Sequence, residues 1–202
     1  LLAIFSILSL NVGEVYAQGK SYTVSPVDIN LEVFSDGSMD VTETRTFNFK
    51  GSFTFAYQYI NKYGDQTTNP GRTEPYLMGG FLICDEKTCY KNLGSFENTY
   101  YYVDEGDRYY IKWFYSAFNR NKTFTLKYRV INAVTSHKDV SEIYWKIVGD
   151  DWDVTQKDIK ATLRLPNGIP QDQIQAWLHG PTEGRVYIED NRTVKFSTPT
   201  LN

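Results

Sequence analysis

The stretch TFTLKYRV, residues 123–130, determines the fold class that we expect for this chain. Apolar or aromatic side chains alternate with polar ones throughout this stretch, and successive side chains of a β-strand point to opposite faces of the sheet. The pattern therefore predicts a strand with one buried face and one face in solvent, as is typical of antiparallel sheets. The predicted buried row consists of Phe124, Leu126, Tyr128 and Val130.

The same alternation recurs along most of the chain. Turn-forming residues such as SDGS at 35–38 separate the alternating segments. Only residues 170–177 offer a helical candidate, of one or two turns. We therefore expect an all-β protein built as an antiparallel β-sandwich, either immunoglobulin-like or jelly-roll-like. The predicted strands lie at about 27–33, 39–49, 53–60, 100–103, 109–115, 123–130, 143–147, 159–165, 185–189 and 193–196.

Three segments are expected along the 202 residues. Residues 1–10, LLAIFSILSL, form an apolar run that is shorter than the roughly 20 residues of a membrane span. Followed by Val15-Tyr16-Ala17, the run predicts a signal peptide at 1–17, with a buried strand or helix as the alternative. The sandwich domain is expected at 21–155 and the start of a second β unit at 156–202.

The charge and the motifs of the chain argue against several functions. The net charge is −3 and the Lys and Arg residues are not clustered, which argues against a nucleic-acid partner and against docking on anionic lipid. No GxSxG, GxxxxGK or HExxH motif is present. The two histidines, His137 and His179, lie in separate segments, so we expect no metal site. Because the catalytic and phosphate-binding motifs are missing as well, we expect no cofactor and no enzymatic activity. A glycan-acting enzyme remains open, because its paired carboxylates have no general motif.

The two cysteines lie in the segment FLICDEKTCYKN, residues 81–92. A polar centre between apolar flanks predicts a hairpin, and facing cysteines of a hairpin reach the distance needed for a disulfide. Export to an oxidising compartment favours such a bond. We therefore predict a disulfide between Cys84 and Cys89.

Two groups of residues are candidate sites. Strict alternation places Glu43 and Arg45 in the row that faces the core, where charges cost free energy unless they are paired. This row indicates either a polar site or a bulge or edge strand that turns the two charges outward. The second candidate is an aromatic surface on the far side of the predicted hairpin at 100–115, where rings could bind a sugar or a protein. This candidate aromatic surface consists of Tyr101, Tyr110 and Phe114, together with Trp152 from farther along the sequence.

Residues 61–80 have no periodicity and contain four Gly and two Pro. A loop of this length is usually functional or mobile. We expect its first half, 64–73, to be the most mobile part of the mature domain and the first place to seek partner contacts.

Three segments together resemble the N-terminal region of the bacterial predicted-membrane-protein family known as domain of unknown function 2207. They are DINLEVFSDGSMDVTETRTFNFKGSF, TFTLKYRVINAV and EIYWKIVGDDWDVTQKDIKATLRLP. The resemblance implies a signal peptide, an extracytoplasmic β region at the cell membrane and a transmembrane anchor after Asn202, and it includes the acid at Glu43. Where the family tends to have Arg and Pro after the third strand, this chain has Gln58 and Asn61.

Three functions are consistent with these observations. The first is a non-enzymatic interaction or envelope-assembly module with an unknown protein partner. The second is a carbohydrate-binding or adhesion module for an envelope glycan, which the surplus of aromatic residues suggests. The third is a glycan-acting enzyme.

Overall fold

The computed structural model describes residues 19–63, 74–149 and 151–201. The predicted signal peptide and the predicted mobile segment 64–73 lie outside the described residues. Within those residues, no helix has the length and apolar character of a membrane span. The elements are β1 (Ser21–Val33), β2 (Met39–Lys50), β3 (Ser52–Asn61), β4 (Met78–Asp85), β5 (Lys91–Asn92), β6 (Thr99–Asp104), β7 (Arg108–Phe118), β8 (Asn121–Val130), β9 (Thr135–Ser136), β10 (Ser141–Glu142), β11 (Gln156–Arg164), a 3₁₀ helix (Gln171–Gln173), β12 (Arg185–Ile188) and β13 (Thr193–Leu201).

Most of the strands form two sheets that face each other, which confirms the all-β sandwich, and β9 and β10 form a separate two-stranded sheet. The larger sheet has the order β12-β13-β11-β1-β2-β8-β4, and the smaller has the order β3-β7-β6-β5. Aromatic side chains fill the space between them. On β7, the rings of Trp113 and Tyr115 lie 5.6 and 4.7 Å from the ring of Phe124 on β8. Buried residues of both sheets belong to a single hydrophobic core.

Most neighbouring strands are antiparallel, as predicted, but two pairs are parallel. The strand β1 pairs with β11 in parallel, and β5 pairs with β6 in parallel. The segment from 131 to 155 connects β8 to β11 and is long enough for the crossover that a parallel neighbour requires. Residues from 156 onward, expected as a second β unit, contribute β11, β12 and β13, and these strands extend the larger sheet beside β1.

The outer face of the larger sheet carries a ladder of polar pairs between β2 and β8. Thr44 and Thr46 bond to Thr125 and Thr123 at 3.2 and 2.9 Å. The pairs Asn48–Asn121 and Asp40–Arg129 lie in the same ladder. Cross-strand pairs of this kind stabilise a sheet modestly and suit a face in water. The alternate residues of β2 therefore face the core.

The segment at 143–147 is not a strand, contrary to its alternating pattern. Its Trp145 ring packs against Tyr76 and Tyr128, with centroids 5.1 and 6.4 Å apart. Aromatic packing, rather than backbone pairing, holds the segment against the core, because alternation produces a strand only where a neighbouring strand offers a free edge. The helical candidate at 170–177 contains one 3₁₀ turn, Gln171–Gln173.

The cysteine hairpin leads the chain from the larger sheet to the smaller one. The structure contains the predicted disulfide between Cys84 and Cys89. Just inside it, the Asp85 carboxylate accepts hydrogen bonds from the backbone N–H groups of Lys87 and Thr88 and from the Tyr90 hydroxyl, at 2.9 to 3.0 Å. It also pairs with Lys122 of β8. Burial alone would raise the pKa of Asp85, but these hydrogen bonds outweigh it and lower the pKa to about 2.

We predict that Asp85→Asn lowers the free energy of unfolding by about 1–3 kcal/mol at pH 7, because the amide cannot satisfy the same donors and leaves the Lys122 charge unpaired. The folded pKa of Asp85 is depressed, so its contribution is fully present above the ordinary pKa near 3.8 and is lost as the pH falls toward about 2. Urea unfolding from pH 7 to pH 2 measures both effects.

Asp40→Asn is the matched control, since the Asp40–Arg129 pair is about half exposed and such pairs contribute about 0–1 kcal/mol. If Asp85→Asn and Asp40→Asn had equal stabilities and parallel pH curves, the stabilising role of Asp85 would be wrong.

Candidate functional site

Glu43 and Arg45 lie inside the sandwich, on the strand β2. Their side chains are only 5 and 4% exposed. The strand is central, with β1 on one side and β8 on the other, so the interpretation of an edge strand or an outward-turning bulge is wrong. Residues opposite the pair on the neighbouring strands are mostly apolar: Glu43 lies between Ile29 and Leu126. The two charges therefore depend on other side chains for solvation.

Polar side chains from three other strands solvate the pair. Arg45 Nη1 donates to the Glu43 carboxylate, and Arg45 Nε donates to Gln156 Oε1 of β11 at 3.1 Å. Gln58 of β3 donates through Nε2 to Glu43 Oε2 at 2.8 Å. The Tyr128 hydroxyl of β8 donates to Glu43 Oε1 at 2.5 Å. We call Glu43, Arg45, Gln58, Tyr128 and Gln156 the buried polar cluster.

Two aromatic residues show how far this cluster is removed from water. Burial raises the pKa of Tyr128 well above its usual value, and the adjacent Glu43 charge and their hydrogen bond raise it further. The Arg45 guanidinium lies 4.9 Å from the centre of the Trp152 ring, a distance typical of cation–π interactions. Trp152 is therefore a partly buried ring that packs against Arg45 and the edge of the core, and it does not contact the rings of the predicted aromatic surface.

The outer face of the smaller sheet carries a continuous group of aromatic rings, which we call the aromatic face. Neighbouring centroids lie 5.2 to 6.5 Å apart, and the ring planes are inclined by 34 to 71°. Phe55 and Tyr57 are 45 and 37% exposed, and the other rings are half-buried by their neighbours. The members are Phe55, Tyr57 and Tyr59 of β3, Tyr101 of β6, and Tyr110 and Phe114 of β7.

Two cations lie among these rings. The Arg108 guanidinium is 3.9 Å from the centre of Tyr59 and also pairs with Glu105 at 2.8 Å. Lys112 Nζ lies 4.0 Å from the centre of Phe55 and makes no ion pair within the described part of the chain. Burial, together with the neighbouring tyrosines, raises the pKa of Tyr110 to about 12, so this hydroxyl remains protonated at neutral pH.

The structure brings together some of the residues that the sequence singled out and separates others. Tyr101, Tyr110 and Phe114 share one face, as their alternation indicates, but Trp152 lies apart from them, partly buried against the core. Sequence reasoning missed the contribution of β3 to this face, because a register shift between Phe53 and Phe55 moves Phe55 to the outer side. No local pattern marks such a shift.

Other partners of the sites were not evident from sequence either. Gln58, Tyr128 and Gln156 are far apart along the chain, and only the strand order brings Gln58 and Tyr128 to Glu43 and Gln156 to Arg45. Across the described ranges, no group of three or more His, Cys, Asp or Glu side chains is arranged to hold a metal ion.

We predict that Arg45→Met lowers the free energy of unfolding by about 3–5 kcal/mol, because it leaves the Glu43 charge buried without its cation. Chemical denaturation at pH 7 measures the change. Arg129→Met on the neighbouring strand β8 is the matched control: its ion pair is 51 and 46% exposed, so the loss should stay near 1 kcal/mol or below. Similar stabilities for the two variants would contradict the assignment of a buried ion pair.

One comparison with a solved structure shows a likeness of fold. A protein of Legionella pneumophila, described as a candidate nutrient-binding protein, matches with a TM-score of 0.50 and 11% identity over 88% of this chain and 63% of its own length. A candidate protease of Parabacteroides distasonis matches with a TM-score of 0.39 and 9% identity over 89% of this chain and 35% of its own. The chain thus spans less than two thirds of either protein.

No curated protein matches the chain. One family model covers nearly the whole of the described region: it is the model of the N-terminal domain of a predicted membrane protein, domain of unknown function 2207, and it matches residues 23–202. The resemblance noted from three sequence segments is therefore confirmed, and the chain belongs to this family of predicted membrane proteins.

Proposed function

We propose that this domain is a non-enzymatic interaction or envelope-assembly module, and that it binds a protein partner through the aromatic face. The observation that carries the proposal is the group of six contacting rings on the outer side of the smaller sheet. The core of a sandwich lies between its two sheets, so packing the core requires aromatic residues only on the inner side of this sheet. A second aromatic side is therefore unexplained by folding alone, and contiguous exposed apolar patches often mark interaction sites.

The compartment is part of the same proposal. In this proposal residues 1–17 direct export, the domain lies on the extracytoplasmic side of the membrane, and the native chain is anchored by a transmembrane segment beyond residue 202. The apolar run LLAIFSILSL supports export. The disulfide between Cys84 and Cys89 is typical of exported proteins. The family description as a predicted membrane protein supports the anchor.

The composition and geometry of the aromatic face favour a protein partner. Tyrosine, other aromatic residues and arginine are the residue types enriched at protein interfaces and at their energetic hot spots. Here Tyr and Phe are interleaved with Arg108 and Lys112. Because Lys112 is not paired with an acid of the described chain, an acidic group of the partner would complement it. We therefore infer a partner with apolar side chains bordered by Asp or Glu.

A carbohydrate partner is the second candidate, since four of the six rings are tyrosines that offer both a flat apolar surface and a hydroxyl. Sugar stacking is best served by exposed rings that lie in one plane. The inclinations of 34 to 71° between neighbouring rings do not supply such a platform. A glycan-bound form would need the rings to rotate, which is why we rank this candidate second.

Site-specific photo-crosslinking in the producing cells tests the proposal. A photoreactive amino acid replaces Tyr57 on the aromatic face or, as a matched control, Tyr187 of β12, which is 54% exposed and lies on the other sheet. We expect a defined protein adduct from position 57 and none from position 187. With the identified partner purified, Tyr57→Ser should weaken binding at least about 10-fold, the effect of losing more than about 1.4 kcal/mol at a hot spot. Tyr187→Ser should leave the affinity unchanged.

A glycan array with the same variants separates the two candidates. Glycan binding that Tyr57→Ser abolishes, in the absence of any protein adduct, would replace the first candidate by the second. Equal loss of binding in the Tyr57→Ser and Tyr187→Ser variants would contradict a role for the aromatic face with either partner.

A further inference from the structure

We propose that the core of the sandwich contains a binding site for one water molecule, held between Arg45 Nη2 of β2 and Trp113 Nε1 of β7 beside the Glu43 carboxylate. This site lies inside the domain and is independent of the proposed function.

A cavity of suitable size lies at this position. Its volume is about 10 Å³, which is about the space that one buried water molecule requires. Most of the cavity surface is apolar, and Glu43, Arg45, Gln58 and Trp113 supply its polar atoms. An apolar cavity of this size stays empty unless polar groups around it can hold a water molecule, and here four residues carry such groups.

The unsatisfied groups around the cavity all require a hydrogen-bond acceptor. Among the described residues, three buried side-chain polar atoms have no partner: Arg45 Nη2, Trp113 Nε1 and Gln156 Nε2. All three are N–H donors, and Arg45 and Trp113 both line the cavity. Leaving a buried donor unsatisfied costs about 1–3 kcal/mol. One acceptor in the cavity would satisfy two of these donors together.

The charges of Glu43 and Arg45 favour a water molecule over an anion in the cavity. Arg45 is already neutralised by its ion pair with Glu43, so an anion in the cavity would be repelled by the adjacent carboxylate at low dielectric. A water molecule accepts from the two N–H groups and can donate its own hydrogens. Among the described residues, Gln58 Oε1 accepts one bond, from Arg45 Nη1 at 3.4 Å, so the second lone pair of this amide oxygen is free. The Glu43 carboxylate offers another.

The water would add a polar link between the two sheets beside the direct bonds that Gln58 makes with Glu43 and Arg45. Arg45 belongs to the larger sheet, and Trp113 belongs to the smaller one. On β7, Trp113 lies between Lys112 and Phe114, whose side chains occupy the aromatic face on the opposite side of the same sheet. The site therefore fixes the position of the strand that displays that face.

Nuclear magnetic resonance of the intact, isotope-labelled domain tests this proposal without any substitution. The four Trp indoles are assigned through bonds, and nuclear Overhauser effects in the laboratory and rotating frames are recorded between each indole N–H and the water signal. We expect Trp113 Nε1–H to show effects of opposite sign in the two frames, which is the signature of a water molecule bound for longer than about a nanosecond. The Trp177 indole, in a side chain that is 69% exposed, serves as the control and should show contacts with short-lived surface water only.

A crystal grown with sodium bromide gives the second readout. The proposal predicts a single oxygen peak within hydrogen-bond distance of Arg45 Nη2 and Trp113 Nε1, without anomalous signal. Anomalous bromide density in the cavity would overturn the proposal in favour of an anion. An empty cavity, together with no water contact at the Trp113 indole, would also overturn it.

Discussion

One ion pair, between Glu43 and Arg45, lies in the buried row of a central strand, and the arrangement of the surrounding strands depends on it. A pair at this depth loses its hydration and requires hydrogen bonds in return. Gln58, Tyr128 and Gln156 supply those bonds from β3, β8 and β11. A structure that moved β3 away from β2 would remove the bond from Gln58 to Glu43, and one that did not place β11 beside β1 would remove the bond from Arg45 to Gln156. The pair thus constrains which strands must meet, in addition to any free energy it contributes.

The smaller sheet carries core-facing side chains beside the buried ion pair on its inner side and the aromatic face on its outer side. On β3, Gln58 points inward to Glu43 while its neighbours Tyr57 and Tyr59 lie on the aromatic face. On β7, Trp113 faces the core between Lys112 and Phe114. Because side chains alternate at every residue of a strand, β3 both supplies Gln58 to the buried pair and displays Tyr57 and Tyr59 on the outer side. The buried polar cluster and the aromatic face are therefore two sides of one structural unit.

The parts of this structure that follow from local pattern could be predicted from the sequence. Alternation identified β2, β7 and β8, and it divided the rings at 100–115 correctly between two faces. The facing cysteines predicted the disulfide. Local pattern did not reveal features that depend on strand order or on irregular pairing. The parallel neighbour β11, the central place in the sheet of the strand that carries Glu43 and the outward turn of Phe55 after a register shift all belong to this second group. Trp152 was misplaced for a related reason: its role as the ring beneath Arg45 depends on a contact between segments more than 100 residues apart.

A double-mutant cycle between Glu43 and Gln58 tests most directly whether the buried polar cluster couples the two sheets. The four proteins are the wild type, Glu43→Gln, Gln58→Leu and the double variant, and the quantity measured is the free energy of unfolding of each. The two side chains belong to different sheets and are joined by a hydrogen bond of 2.8 Å, so the account predicts a coupling energy above about 1 kcal/mol. Additivity of the two substitutions to within about 0.3–0.5 kcal/mol, the behaviour of independent sites, would contradict it.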